Sequence, residues 1–156
     1  MRHLSGDILD RLRRLTSLFL RLALGLSFLS AVADRFGLWG AFGGPNVSWG
    51  TFARFVTYTG ELNWFLPEGM IFALAVIATC AEGLLGLCLV IGWHTRTAAL
   101  LSGVLLILFG VTMAVALGLK VPLDFSVFSA AGGALLLATC TEFPVSADAL
   151  RRGVNK

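Results

Sequence analysis

Two charged residues interrupt long apolar stretches of this chain, and they are the first candidates for chemistry. Glu82 is the only charged side chain between Gly69 and Trp93, a run longer than the roughly 20 residues needed to cross a hydrocarbon core. Arg21 lies in an earlier apolar run. Because a carboxylate that faces lipid is costly, we expect Glu82 to face protein. It is either fixed by one structural partner or a protonatable group in a substrate, quinone or ion site.

Small residues accompany Glu82 along one face of its predicted helix: Ala75, Ala78, Thr79, Gly83 and Gly86. Such a stripe lets the backbone of a neighbouring helix approach closely. At 1.5 Å per residue, Arg21 and Glu82 lie within about 4 Å of the same depth in two successive spans. The sequence therefore predicts an ion pair between Arg21 and Glu82, which would make both charges tolerable in lipid.

The composition is typical of a membrane protein, since 57% of the 156 residues are hydrophobic and 13% are charged. We predict an all-α membrane protein in which residues 1–156 form one antiparallel bundle of four transmembrane helices. The spans are placed at about 15–35, 68–92, 96–119 and 124–142, with an outer loop at 36–67. A basic amphipathic helix on the membrane surface precedes the first span. The rival interpretation is a cleaved secretory signal, against which Arg21 inside the apolar region argues.

The outer loop is rich in aromatic residues, which favour the membrane interface. Ser48 is predicted to cap a short amphipathic helix that ends near Gly60. This segment is either a lid over a lipophilic pocket or an aromatic belt that holds the first two helices in register. Polar residues from the span ends and the loop are expected to collect at the outer surface, as solvated charges, a ligand headgroup site or a docking surface. They are Asp34, Arg35, Glu68, Lys120 and Asp124, with Arg54, Tyr58, Glu61 and Asn63 from the loop.

Basic residues are distributed unevenly between the two predicted sides of the membrane, which places both termini in the cytoplasm. The cytoplasmic set is Arg2, Arg11, Arg13, Arg14, Arg96, Arg151, Arg152 and Lys156, and the outer set is Arg35, Arg54 and Lys120. All lie at the edges of apolar runs, so we expect a lipid bilayer and not a nucleic acid as the partner of this charge.

Ligands for most cofactors are lacking in the sequence. His3 and His94 are the only histidines, and neither is in the middle of a helix, so two axial haem ligands within the bundle are excluded. The three cysteines form no Cys-x-x-Cys pair, and there is no zinc spacing, phosphate loop or nucleophile elbow. We therefore expect no metal and no covalently bound cofactor. Electron transfer would have to use a diffusible quinone or the cofactor of a partner.

Several short strings carry a family resemblance through their order and spacing. They are Leu20-Arg21-Leu22-Ala23-Leu24-Gly25, Ala33-Asp34-Arg35-Phe36-Gly37, Tyr58-Thr59 with Leu62-Asn63 before Leu66-Pro67, Ala81-Glu82 ahead of Leu89 to Gly92 with Thr95-Arg96, and Pro122-Leu123-Asp124-Phe125-Ser126-Val127-Phe128. Together they resemble the DoxX family of small four-helix bacterial membrane proteins, which includes the DoxD-like small subunit of thiosulfate:quinone oxidoreductase.

The resemblance implies a subunit of a quinone-linked oxidoreductase system of the thiol or sulfur type, in the bacterial inner membrane. It implies a non-covalently bound quinone and a redox partner protein or larger membrane complex. Arg21 and Glu82 would be polar groups of a ligand site inside the bundle, and Asp34, Arg35, Tyr58 and Asp124 would lie toward its outer edge. Two alternatives remain: a non-catalytic assembly or scaffold subunit, and a small proton-coupled transporter that uses Glu82, as a homodimer or other homo-oligomer.

Overall fold

The computed structural model describes the backbone of residues 2–154 and the side chains of residues 6–151. The described residues form seven helices and no strand, so the all-helical class is confirmed. The helices are α1 (Arg2–Arg35), α2 (Phe52–Leu62), α3 (Glu68–Ile91), α4 (Thr95–Leu117), α5 (Lys120–Asp124), α6 (Val127–Thr139) and α7 (Ala147–Val154). Four residues used above to assign topology or exclude haem have side chains outside the described part: Arg2, His3, Arg152 and Lys156.

Within the described part of the chain, three helices are long and apolar enough to cross a membrane: residues Gly6–Arg35 of α1, and the whole of α3 and α4. The ends of α3 and α4 lie within two residues of the second and third predicted spans. The expected separate surface helix before the first span is wrong, because α1 continues without a break from Arg2. The charged residues of its first turns and the apolar residues of its later turns belong to one continuous helix.

The predicted fourth span at about 124–142 is shorter in the structure. Its apolar part, α6, has 13 residues and is about 20 Å long, whereas a hydrocarbon core is about 30 Å thick. Short helix α5 precedes it, and Ser126 between the two adopts a left-handed backbone conformation with φ of 54°. That conformation prevents α5 from continuing directly into α6.

Close approach of two glycines sets the register between α1 and α3. A Cβ atom on Gly25 would lie 2.8 Å from Cγ2 of Val90 and 3.0 Å from the carbonyl oxygen of Gly86. The small-residue stripe of α3 is buried at Ala75, Ala78, Thr79, Glu82 and Gly86. The prediction that this face contacts a neighbouring helix is therefore confirmed: Gly86 faces α1, whereas Ala75 and Ala78 pack against Phe55 of α2.

Toward the Glu68 end of α3, α1 ends before its neighbour does. Counting from the contact of Gly25 with Gly86, α1 extends about 15 Å further to Arg35, whereas α3 extends about 27 Å to Glu68. The last residue of α1 consequently lies about 12 Å below the Glu68 end of α3. The loop that follows α1 and helix α2 pack beside this gap, where Phe52 contacts Phe36 and Phe72.

The helix within the outer loop is confirmed, but its cap is not the predicted one. Thr51 is the N-cap of α2, and its side-chain oxygen accepts a hydrogen bond from Arg54 N at 3.4 Å. The backbone N–H of Ser48 instead donates to Asp34. The helix also continues past Gly60 to Leu62. The local spacing identified a capping residue of the correct type three positions too early.

Candidate functional site

Arg35, the last residue of α1, is almost fully buried, with 2% of its surface exposed. Its Nη1 atom forms an ion pair with Oε2 of Glu82 on α3. The same nitrogen donates a hydrogen bond of 2.9 Å to Oγ1 of Thr79, one turn before Glu82 on the same face of the helix. A buried guanidinium is tolerated only when such partners replace its water.

Two aromatic rings enclose the guanidinium of Arg35 on the side of the loop. Its Cζ atom lies 3.6 Å from the ring centroid of Phe55 and 5.2 Å from that of Trp49. The two rings pack edge to face, with centroids 5.2 Å apart. Each cation–π contact stabilises the charge by about 0.5–2 kcal/mol, the larger figure applying where water is excluded. We name these five residues the Arg35 cluster: Arg35, Thr79, Glu82, Trp49 and Phe55.

Asp34 holds the loop that supplies Trp49. Its carboxylate accepts hydrogen bonds from the backbone N–H groups of Ser48 at 2.9 Å, Trp49 at 3.0 Å and Gly50 at 3.4 Å. Charge-assisted bonds of this kind are the stronger class of hydrogen bond. Asp34 thus fixes the backbone of Trp49 while Arg35 contacts its ring, and two successive residues of α1 position one tryptophan.

The predicted ion pair between Arg21 and Glu82 is wrong. Arg21 is buried with 2% of its surface exposed, but it donates to the carbonyl oxygens of Pro144 at 3.3 Å and Val145 at 2.6 Å. Arg21 lies about 6 Å from Gly25 toward the Gly92 end, and Glu82 lies about 6 Å from Gly86 toward the Glu68 end. The two charges are therefore about 12 Å apart along the helix axes. The prediction from the sequence assumed that the centres of the two spans lie at the same depth. The contact of Gly25 with Gly86 instead offsets the two centres along the helix axes.

At the Gly92 end, Asp148 holds the segment that binds Arg21. Its carboxylate accepts the backbone N–H groups of His94 at 3.0 Å and Thr95 at 2.8 Å, and so caps α4. Burial raises the pKa of Asp148, but the hydrogen bonds from Thr95 and His94 outweigh it and bring the pKa below its ordinary value. The cap of α4 is therefore supplied by a residue more than fifty positions away in the sequence.

The remaining candidate site residues lie apart from the ion pair. Tyr58 on α2 contacts the ring of Trp49, with centroids 6.1 Å apart. Burial and the nearby charge of Glu61 raise the pKa of Tyr58, so its hydroxyl remains protonated. Asp124 is exposed and pairs with Lys120 on α5, which packs on α4 and α6. Of the six candidates, Arg35 and Glu82 meet directly, Asp34 and Tyr58 adjoin them through Trp49, and Arg21 and Asp124 bind elsewhere.

Sequence reasoning did not assign Thr79, Trp49 and Phe55 to the site. Thr79 stood in the small-residue stripe three positions before Glu82, which places both on one helix face. Trp49 and Phe55 were read only as members of the aromatic loop. Their relation to Arg35 depends on the path of residues 36–50, for which no local sequence pattern gives the geometry.

Two polar atoms of the Arg35 cluster retain unused hydrogen-bonding capacity. Nε of Arg35 has no hydrogen-bond partner within the described residues, and Oε2 of Glu82 contacts Nη1 without receiving a well-aligned hydrogen bond. Most buried polar groups in proteins are hydrogen-bonded. Nε of Arg35 is thus a buried N–H donor that lies beside a carboxylate and two aromatic rings and has no acceptor among the described residues.

Comparisons with known proteins give no match. No family model matches the chain, and neither a curated protein nor a solved structure matches it.

Proposed function

We propose that this protein is an integral membrane subunit of a quinone-linked oxidoreductase system of the thiol or sulfur type. In that system it would anchor a redox partner or hold a lipophilic ligand beside Arg35 and Glu82. The supporting observation is that separate strings behind the family resemblance converge in space. Ala33 to Gly37, Tyr58-Thr59 and Ala81-Glu82 supply Asp34, Arg35, Tyr58 and Glu82, and these adjoin one another around Trp49.

The proposed arrangement in the membrane has four crossings, in which α5 and α6 together form the fourth. Support comes from the contacts of α6 with α4, where Leu135 packs on Gly103 and Phe128 on Gly110, so that the two helices run in opposite directions. Both termini would be cytoplasmic in a bacterial inner membrane. The basic residues near the Gly92 end support this orientation, since positive charge is retained on the cytoplasmic side.

A quinone fits the chemistry of the Arg35 cluster. Its carbonyl oxygen would accept the free Nε–H of Arg35, and its ring would lie against aromatic side chains. The quinone would supply the electron-accepting group. The chain would supply an N–H donor that favours negative charge on the ligand oxygen and, in Glu82, a carboxylate that can hold or release a proton.

One observation favours the alternative, a non-catalytic assembly or scaffold subunit. The charged groups of the predicted site are already engaged within the protein, because Asp34 accepts three backbone N–H groups and Arg35 is paired with Glu82 and Thr79. Such contacts fix the packing of α1, α3 and the loop without any ligand. A scaffold would keep them for helix pairing alone.

Gentle purification from the native membrane, followed by mass spectrometry of extracted lipids and co-purifying proteins, tests the proposal. Stoichiometric quinone that is lost in Arg35→Lys, but kept in the matched exposed variant Lys120→Gln, would support a ligand site. A redox enzyme that co-purifies without quinone would support the anchor. If neither quinone nor a redox enzyme is recovered and other proteins co-purify, the result would favour the scaffold. Proton flux in liposomes that disappears in Glu82→Gln would instead indicate the transporter.

A further inference from the structure

The segment Phe36–Phe42 carries no charged residue and no polar side chain except the indole of Trp39. Its large apolar side chains are exposed, with Leu38 at 78%, Phe36 at 63%, Trp39 at 60% and Phe42 at 54%. Connecting loops in water are normally polar because their side chains face solvent. A contiguous apolar surface of this kind requires something to cover it.

The position of Trp39 relative to the helices identifies the depth of this segment. Its Nε1 donates a hydrogen bond of 3.1 Å to the carbonyl oxygen of Ser30 on α1. Ser30 lies about 7.5 Å beyond Gly25, and hence beyond the level of Gly86, whereas the start of α3 at Glu68 lies about 27 Å beyond it. The indole is therefore about 20 Å below the Glu68 end of α3. Because α3 is about 36 Å long and a hydrocarbon core is about 30 Å thick, this depth lies near the midplane of the hydrocarbon.

Backbone N–H groups at the start of the segment have hydrogen-bond partners within the protein, as an environment without water requires. The N–H of Gly37 donates to Asp34 O at 3.0 Å, that of Leu38 to Ala33 O at 3.0 Å, and that of Gly40 to Gly37 O at 3.1 Å. Non-helical backbone at membrane depth requires partners within the protein. The indole N–H of Trp39 also has a partner, the carbonyl oxygen of Ser30.

The charged side chain of Arg54 lies beside Phe42, where the segment returns toward the lipid headgroups. The guanidinium of Arg54 on α2 lies 3.5 Å from the ring centroid of Phe42. Arg54 is exposed, and a long basic side chain near an apolar surface places its charge at the membrane interface. The segment therefore descends from Arg35 to Trp39 and ascends to Phe42.

We propose that residues 36–42 form a re-entrant wedge in the hydrocarbon of the leaflet at the Glu68 end, with lipid acyl chains as its occupant. The wedge lies beside the space left where α1 ends about 12 Å short of α3. This differs from a lid or belt in the membrane interface, because its apolar side chains contact acyl chains below the headgroups. The proposal rests on the proposed membrane insertion of α1, α3 and α4, but not on the redox role.

Spin-label accessibility in liposomes of phosphatidylcholine and phosphatidylglycerol tests the wedge. Three single-cysteine variants are made in a background where Cys80, Cys88 and Cys140 are alanine: Leu38→Cys, Ile77→Cys and Trp64→Cys. All three labelled positions are exposed. Ile77 is the control at wedge depth on α3, and Trp64 is the control near the Glu68 end. Oxygen concentrates in hydrocarbon, whereas a polar nickel chelate is excluded from it.

The expected ratio of oxygen to nickel accessibility at Leu38 equals that at Ile77 and is severalfold above that at Trp64. A ratio at Leu38 equal to that at Trp64 would overturn the wedge while leaving membrane insertion intact. Low accessibility to both reagents at Leu38 would also overturn it, because protein and not lipid would then cover the surface. If Ile77 itself were accessible to nickel, membrane insertion would fail, and the wedge with it. The circular dichroism of each labelled variant must match that of the unlabelled background.

Discussion

The change Glu82→Gln removes the carboxylate from Arg35 while keeping the size of the side chain. The guanidinium then remains buried among Thr79, Trp49 and Phe55 without its counter-charge. Removing one partner of a buried ion pair costs about 3–5 kcal/mol. Because the free energy of unfolding of a protein this size is about 5–15 kcal/mol, the variant should lose a large part of its stability.

A double-mutant cycle separates this pair from the one that the sequence predicted. Arg35→Met alone leaves Glu82 buried and unpaired, and should also destabilise by about 3–5 kcal/mol. The double variant Arg35→Met with Glu82→Gln leaves no buried charge, so its loss should fall at least about 2 kcal/mol short of the sum. Arg21→Met with Glu82→Gln should be additive within about 0.5 kcal/mol, because the two residues share no partner.

The assay is equilibrium unfolding in mixed micelles by an increasing mole fraction of dodecyl sulfate, followed by circular dichroism. The exposed pair of Lys120 and Asp124 provides the matched control, since neutralising an exposed ion pair changes stability by about 1 kcal/mol or less. Additive losses at Arg35 and Glu82, or a coupling of Glu82 with Arg21, would refute the assignment of the buried pair.

Three further predictions concern contacts that hold the helices and the outer loop in place. Gly25→Leu should separate α1 from α3 and destabilise by about 1–3 kcal/mol or more in the same unfolding assay, because its Cβ would already lie 2.8 Å from Val90. Gly132→Ala, where a Cβ meets nothing within 4 Å, should be neutral or stabilising by up to about 1 kcal/mol, and equal losses in both variants would contradict the close-approach argument. Asp148 has a lowered pKa in the folded state, so its stabilising contribution is present above about pH 4 and is lost as the pH falls through the folded value. Thermal unfolding should show a smaller loss between neutral and acid pH for Asp148→Asn than for the parent, and identical pH profiles would exclude this role. Asp34→Ala removes the acceptor for three backbone N–H groups, each worth about 1–3 kcal/mol when buried. Hydrogen exchange should become faster in residues 48–50 and remain unchanged in the middle of α3, and unchanged exchange in the loop would show that Asp34 does not hold it.

The long helices were predictable because their signal is local. An apolar run bounded by Pro67 and Gly92 defines α3 almost to the residue, since Pro67 cannot donate within a helix and Gly92 adopts φ of 75° at its end. The fourth span was not predictable in the same way. Its composition is continuous from Phe125 to Thr141, but α6 begins only at Val127 because Ser126 adopts a left-handed conformation, which is rare for a residue with a side chain.

The partners of the buried charges depend on register, which the sequence did not determine. Arg21 and Glu82 were correctly expected to be buried in the protein and to have polar partners, because an unpaired charge that faces lipid is costly. Which charges meet is decided by the contact of Gly25 with Gly86. A shift of α1 by two turns along α3 would bring Arg21 near Glu82, and nothing in the composition of either helix forbids that shift. Asp148 likewise carries no sequence signal that it caps a helix more than fifty residues earlier.

The early end of α1 connects the buried pair, the loop and the proposed wedge. Successive residues of a helix point about 100° apart, so Arg35 can reach along α3 to Glu82 while Asp34 faces the loop. Trp49 is held by both, through its backbone N–H by Asp34 and through its ring by Arg35. A ligand that accepted the free Nε–H of Arg35 would therefore act on a side chain that also contacts Trp49. In the proposed arrangement, occupation of the site would act on the loop of residues 36–50, which contains the proposed wedge. An anchor without a ligand would keep that loop fixed.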